Sequence, residues 1–175
     1  MANTILTLSI MHPVLAAVVV LGFFATCLTY IASDFTNDNL VIGGDLNAGT
    51  FLGTFVHLNW GHYLGNIVML IPVWIYADKL AGKTFITIIV IANMLITGIY
   101  CLISDNRLCG LSGVVFMLVG FTAIVGNWLM FFFAAALFFG EFTLLDKDDS
   151  TAHLAHILFF AMGIVIGLVK VIFLS

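Results

Sequence analysis

Six apolar stretches, at about residues 10–32, 58–77, 84–103, 110–126, 128–145 and 151–173, constrain this chain of 175 residues more tightly than any motif in it. Crossing roughly 30 Å of hydrocarbon takes about 20 apolar residues, and each stretch has that length or comes close to it. Lipid offers backbone N–H and C=O groups no partners, so such stretches must be helical. Composition agrees: 63% of residues are hydrophobic, 8% are charged and mean hydropathy is +1.23, far outside the range of soluble domains. The expected fold is an all-α polytopic membrane protein, one bundle of six transmembrane helices over residues 1–175. Residues 33–56 carry Asp34, Asn37, Asp38, Asn39, Gly43, Gly44, Asp45 and Asn47. That turn-rich stretch is expected to form a surface loop between the first and second spans.

Charge narrows the partners. The five basic residues, Lys79, Lys83, Arg107, Lys147 and Lys170, are scattered, which excludes a nucleic-acid surface, since phosphate binding needs clustered Lys and Arg. Lys79, Lys83 and Lys170 fall on one side of the bundle and Arg107 and Lys147 on the other, which puts both termini in the cytoplasm. No Lys or Arg precedes the first apolar run, and that run is longer than a signal-peptide core, so it reads as a retained span. Cys27, Cys101 and Cys109 form neither a paired framework nor a Cys-x-x-Cys, and read as buried apolar residues.

Within this apolar chain Gly110-Leu111-Ser112-Gly113 puts a hydroxyl at the start of the shortest stretch. Seventeen residues make roughly 25 Å of helix, less than the hydrocarbon thickness, so Ser112 is expected a few ångströms below the membrane surface. There the free N–H groups of a helix N-terminus would suit a developing oxyanion, and Gly110 and Gly113 would allow close approach of another group. The competing explanation is a small-residue packing face continued by Gly120.

Two other stretches carry polar groups that a membrane makes expensive. In the second, Asn59, His62 and Asn66 fall at i, i+3 and i+7 of a helix, one stripe on which His62 and Asn66 could both donate hydrogen bonds to a single point. His57 is rotated away by about 140° and is expected to hold the long first connection. In the last stretch His156 lies within about 20° of the direction of Gly163 and Gly167, whereas His153 points roughly 60° away. His156 is also the deeper, and is preferred to His153 as the partner of Ser112. Phe116, one turn after Ser112, would stand beside the pair and stack on the imidazole. A serine becomes nucleophilic when a neutral imidazole takes its proton. With Asp149 in a hydrophilic run, the machinery implied is a dyad.

His57, His62 and Asn66, then Gly110 to Gly113, then Ala155-His156 with Gly163 and Gly167, stand in an order and spacing that resembles the rhomboid family of intramembrane serine proteases. The resemblance covers about residues 50 to 170. It implies a six-helix fold, a Ser112/His156 dyad, and an oxyanion hole made by His62, Asn66 and the backbone N–H of Ser112. The implied substrates are transmembrane segments of membrane proteins, cut near their outer end within the lipid bilayer, and no metal, nucleotide or other cofactor is implied. There are departures. A Trp-Arg pair common before the first histidine is replaced by Asn47-Ala48-Gly49-Thr50-Phe51, a glycine expected three residues after the catalytic histidine is Phe159, and a frequent tyrosine one turn after the serine is Phe116. Shortness and the string His57-Leu58-Asn59-Trp60-Gly61-His62 also resemble the rhombosortase branch. That branch processes Gly-Gly-containing C-terminal sorting anchors of bacterial envelope proteins, which implies a bacterial inner (cytoplasmic) membrane. Two rival readings are a non-catalytic protein of the same fold that binds transmembrane clients, and a metal or haem site built from His57, His62, His153 and His156.

Overall fold

Every regular element among the described residues, 13–31, 53–57, 59–103, 108–144 and 150–174 of the computed structural model, is helical. In chain order these are α1 (Pro13–Ile31), a 3₁₀ turn (Gly53–Phe55), α2 (Trp60–Ile103), α3 (Ser112–Val125), α4 (Trp128–Leu144) and α5 (Ser150–Phe173). The boundaries follow local chemistry. Pro13, which has no N–H to leave unpaired, opens α1. Asn59 caps α2 by accepting the His62 N–H on its Oδ1 at 2.8 Å, and Asn127 caps α4 by accepting the N–H groups of Leu129 and Met130.

Six separate helices were expected, and the described residues contain five. The difference lies at residues 78–83, where Asp78, Lys79, Leu80 and Ala81 continue the helix and the interruption is confined to Gly82, at φ 77 and ψ 172. Only glycine takes that conformation without strain. The break is a reversal. Asn66 lies against Gly110 and Asn93 against Gly113, yet 27 residues of straight helix would separate the two asparagines by about 40 Å. Residues 60–81 and 83–103 are therefore two arms folded back on one another.

Helix α3 is the axis of the fold, buried all round through Gly113, Val114, Val115, Met117, Leu118, Val119, Gly120, Phe121 and Thr122. At 14 residues it is roughly 21 Å long, shorter than a bilayer core. The sequence reading begins this stretch at Gly110, but the helix starts at Ser112, because Gly110 is held in a turn at φ 100. The surrounding helices turn Val68, Ile91, Leu95, Leu154 and Ile172 outward, as lipid-facing residues would. Trp60–Tyr100 and His153–Phe173 are long and apolar enough to cross a membrane, and Pro13–Thr29 and Ser112–Val125 are shorter apolar helices.

With apolar surroundings on both sides, close packing rather than water exclusion must hold such helices together. The α3–α5 contact supplies it at the backbone level. A Cβ on Gly120 would run into the carbonyl of Phe160, one on Gly163 into the carbonyl of Met117, and one on Gly167 would come within 2.9 Å of Ile124. Of the connection 33–56, only 53–56 lie within the described residues, and these are buried within the protein. Gly163→Ala is expected to destabilise the protein by about 1–3 kcal/mol, because backbone cannot move aside as a side chain can. Gly65→Ala, where nothing lies within 4 Å of the new Cβ, should be neutral or slightly stabilising. Thermal unfolding in detergent measures both.

Candidate active site

Two N–H groups of the turn before α3 end on the strip 53–57. Gly110 donates to the Gly53 carbonyl at 3.1 Å and Leu111 donates to Nε2 of His57 at 3.2 Å. The other ring nitrogen of His57, Nδ1, lies 3.0 Å from the Phe55 carbonyl. An Nε2 that accepts cannot carry a proton, so Nδ1 carries it and donates to Phe55. His57 is thus neutral and in one tautomer. Burial, and next to it the proximity of His62, lower its pKa to about 4, with the Phe55 hydrogen bond pulling the other way. The sequence reading put His57 on the phase of α2, but that helix starts at Trp60, and His57 sits in the strip before it, fully buried. Tyr63 packs edge-on against the His57 ring at 5.1 Å and donates its hydroxyl to the Val19 carbonyl, so α1 is tied to the same point.

The first residue of α3 is Ser112. Its N-cap, Leu111, offers no side-chain cap, so the N–H groups of the first turn have no partner within the helix. Ser112 Oγ and His156 Nε2 are 3.0 Å apart, within hydrogen-bond range. Phe116 stacks on the His156 imidazole with ring centroids 4.4 Å apart and planes inclined by 15°, which fixes the ring's tilt. Both partners are half-buried, as is His153, one turn earlier in α5.

His62 and Asn66 lie over the turn on its other side. A Cβ on Gly110 would meet His62 Cε1 at 2.8 Å, His62 Nε2 at 3.0 Å and Asn66 Nδ2 at 3.3 Å. Glycine is therefore required here twice, for its positive φ and for the space it leaves. Asn66 Nδ2 is buried with no hydrogen-bond partner, an unused donor beside the turn that carries Ser112. Asn59 does not share this stripe: its side chain is used as the cap of α2. The structure thus gathers Ser112, His156, Phe116, Gly110, Gly113, His62, Asn66 and His57 around the α3 N-terminus.

Two polar residues here were not singled out in the sequence. Asn93, 1% exposed, accepts a hydrogen bond from Thr54 Oγ1 at 3.2 Å and lies against Gly113, which Phe159 also touches. An asparagine alone in the apolar run 84–103 was the available signal, since a membrane interior rarely tolerates one without a role. As for a metal, both ring nitrogens of His57 are engaged by backbone, so it has no lone pair to give. Among the described residues no group of three or more His, Cys, Asp or Glu is arranged to hold an ion.

In sequence comparison, the model of the Rhomboid domain matches residues 48–173, which takes in every residue of this site. No curated protein matches the chain.

The state of His57 has a pH consequence. With a folded pKa of about 4 against about 6.5 unfolded, the unfolded chain binds the extra proton first. The contribution is complete above pH 6.5, is lost as pH falls, and bottoms out below pH 4, for a total of roughly 3 kcal/mol. Protection of the Leu111 amide in hydrogen exchange, corrected for the intrinsic rate, should fall across that window. Unchanged protection from pH 7 to 4 would contradict the neutral tautomer.

Proposed function

This chain belongs to the rhomboid family and is an integral membrane protein, and we propose that it is an intramembrane serine endopeptidase working through a Ser112/His156 dyad. The observation that carries the reading is the 3.0 Å contact between Ser112 Oγ and His156 Nε2 at an uncapped helix N-terminus. The two arms of α2, counted separately, make six spans with α1, α3, α4 and α5, and both termini lie in the cytoplasm. Substrates are transmembrane segments of other membrane proteins. The string from His57 to His62 favours the rhombosortase type, whose substrates are C-terminal sorting anchors in a bacterial inner membrane.

The chemistry follows from the donors and acceptors. Neutral His156 accepts the Ser112 hydroxyl proton on Nε2 as Oγ bonds to the scissile carbonyl carbon. Negative charge moves to the carbonyl oxygen, which the Ser112 N–H and the side chains of His62 and Asn66 stabilise. Collapse breaks the C–N bond, and the proton on His156 goes to the leaving amine. Water then attacks the acyl ester with His156 again as base, releasing the new carboxylate and restoring the serine. Phe116, stacked on the ring, holds the imidazole plane of the base. The orphan donor on Asn66 supports an oxyanion role, since an unpaired buried donor costs about 1–3 kcal/mol in the resting protein and that cost is recovered when an oxyanion forms.

A fluorophosphonate probe, from which a reactive serine displaces fluoride, is expected to label the detergent-solubilised protein. Ser112→Ala and His156→Ala should abolish both labelling and cleavage of a transmembrane reporter, with His153→Ala much milder. His62→Ala or Asn66→Ala should slow turnover by about 10²–10³-fold, or about 2.7–4 kcal/mol. Equal labelling of the Ser112→Ala protein would remove the nucleophile, and stoichiometric metal or a Soret band in the purified protein would favour the histidine-metal reading.

A further inference from the structure

Among the described residues, Asn93 is a buried polar side chain without a task in the reaction just described. It is 1% exposed, its Oδ1 accepts from Thr54 Oγ1, and its Nδ2 has no hydrogen-bond partner. A leucine of similar size would leave no donor stranded, and replacing both partners of a buried polar pair by apolar groups of the same shape is commonly neutral or stabilising. Stability alone therefore does not account for an asparagine here.

Its surroundings supply a reason. The Asn93 amide touches Gly113, the residue immediately after Ser112. Thr54, on which the amide is held, follows Gly53, whose carbonyl accepts from Gly110 two residues before Ser112. The contacts close into a ring that runs from Asn93 to Thr54, through Gly53 to Gly110, along the turn to Gly113 and back to Asn93. Ser112 lies on that ring, within its Gly110–Gly113 segment. His57 holds Leu111, and Asn93 with Phe159 bounds Gly113, so the first turn of α3 is held on both chain neighbours of Ser112 and resists rotation. Such rotation would swing Ser112 Oγ away from His156, and small misplacements of a nucleophile cost large factors in rate.

Building on the protease reading, we propose that Asn93, held by Thr54, is a positioning residue that sets the angle of the first turn of α3 and so keeps Ser112 Oγ on His156. It does not touch substrate, and it acts through Gly113. The hydroxyl of Thr54 serves by keeping the amide in place, so the two residues work as one unit.

The test is the double exchange Thr54→Val/Asn93→Leu, both near-isosteric, with fluorophosphonate labelling in detergent followed over probe concentration to separate the maximal rate from the half-saturating concentration. The expected result is a maximal rate lower by roughly ten- to a hundredfold, an unchanged half-saturating concentration, and a melting temperature equal to or above that of the unsubstituted protein. Thr54→Val alone should reach most of that loss, and Thr54→Ser, which keeps the hydroxyl, should restore most of it. Should the double variant fold poorly, the Val/Ser contrast at Thr54 carries the same comparison. Ser112-dependent labelling that survives the double exchange at full rate overturns the inference and leaves the protease reading intact, as does a rate that falls only in step with melting temperature. Absence of any Ser112-dependent labelling in the unsubstituted protein overturns both.

Discussion

The hydrogen bond from the Leu111 N–H to Nε2 of His57 is the contact on which the rest of the site depends. It joins a strip that precedes α2 to a turn that precedes α3, more than fifty residues apart in the chain, and it works only while the imidazole is neutral with its proton on Nδ1. With the companion bond from Gly110 to Gly53, it satisfies backbone groups that would otherwise be buried without partners, an expensive condition in a membrane. The same pair of bonds determines where α3 starts. Gly110 is held at positive φ, Leu111 has its N–H occupied, and the first N–H groups left over belong to the turn that carries Ser112.

A second constraint acts from the other end of the site. His156 reaches Ser112 because α5 runs against α3 with backbone nearly touching backbone at Gly120, Gly163 and Gly167. Two helices at that separation leave little room for error in depth or angle, and the stacked Phe116 restrains the tilt of the imidazole. The shortness of α3 matters equally. A helix about two-thirds as long as the hydrocarbon is thick has an end below the membrane surface, the depth that the proposed reaction on a transmembrane substrate requires. The proposed chemistry thus rests on a glycine contact and a short helix as much as on the polar residues themselves.

Much of the fold could be read from the chain because a bilayer permits so little. Apolar runs had to be helices, and the small residues of the fourth and sixth runs pointed to the face on which those helices meet. The glycine phase also pointed to His156, since helical angle is a local property that sequence spacing carries. Three features were out of reach of that reasoning. Helical phase was extended back over Asn59 and His57, although Asn59 stops the helix by spending its side chain on the His62 N–H and His57 belongs to the strip before it. Residues 78–81, left as a connection between the second and third runs, continue the helix up to the reversal at Gly82. Asn93 went unremarked because its neighbours Thr54 and Gly113 are distant in sequence.

By itself, the sequence determined that the protein is helical, embedded in a membrane and supplied with a serine, histidines and an asparagine in an order similar to that of the rhomboid family. Those properties depend on hydropathy and on spacing along one helix, which are local. Only the tertiary structure decided that the end of a polar connection is buried, that His57 must stay neutral, that Gly110 has no room for a Cβ, and that Thr54 and Asn93 close a ring with the turn that carries Ser112. Each of these depends on a hydrogen bond or a steric contact between segments tens of residues apart, and no spacing along the chain encodes which of them will meet.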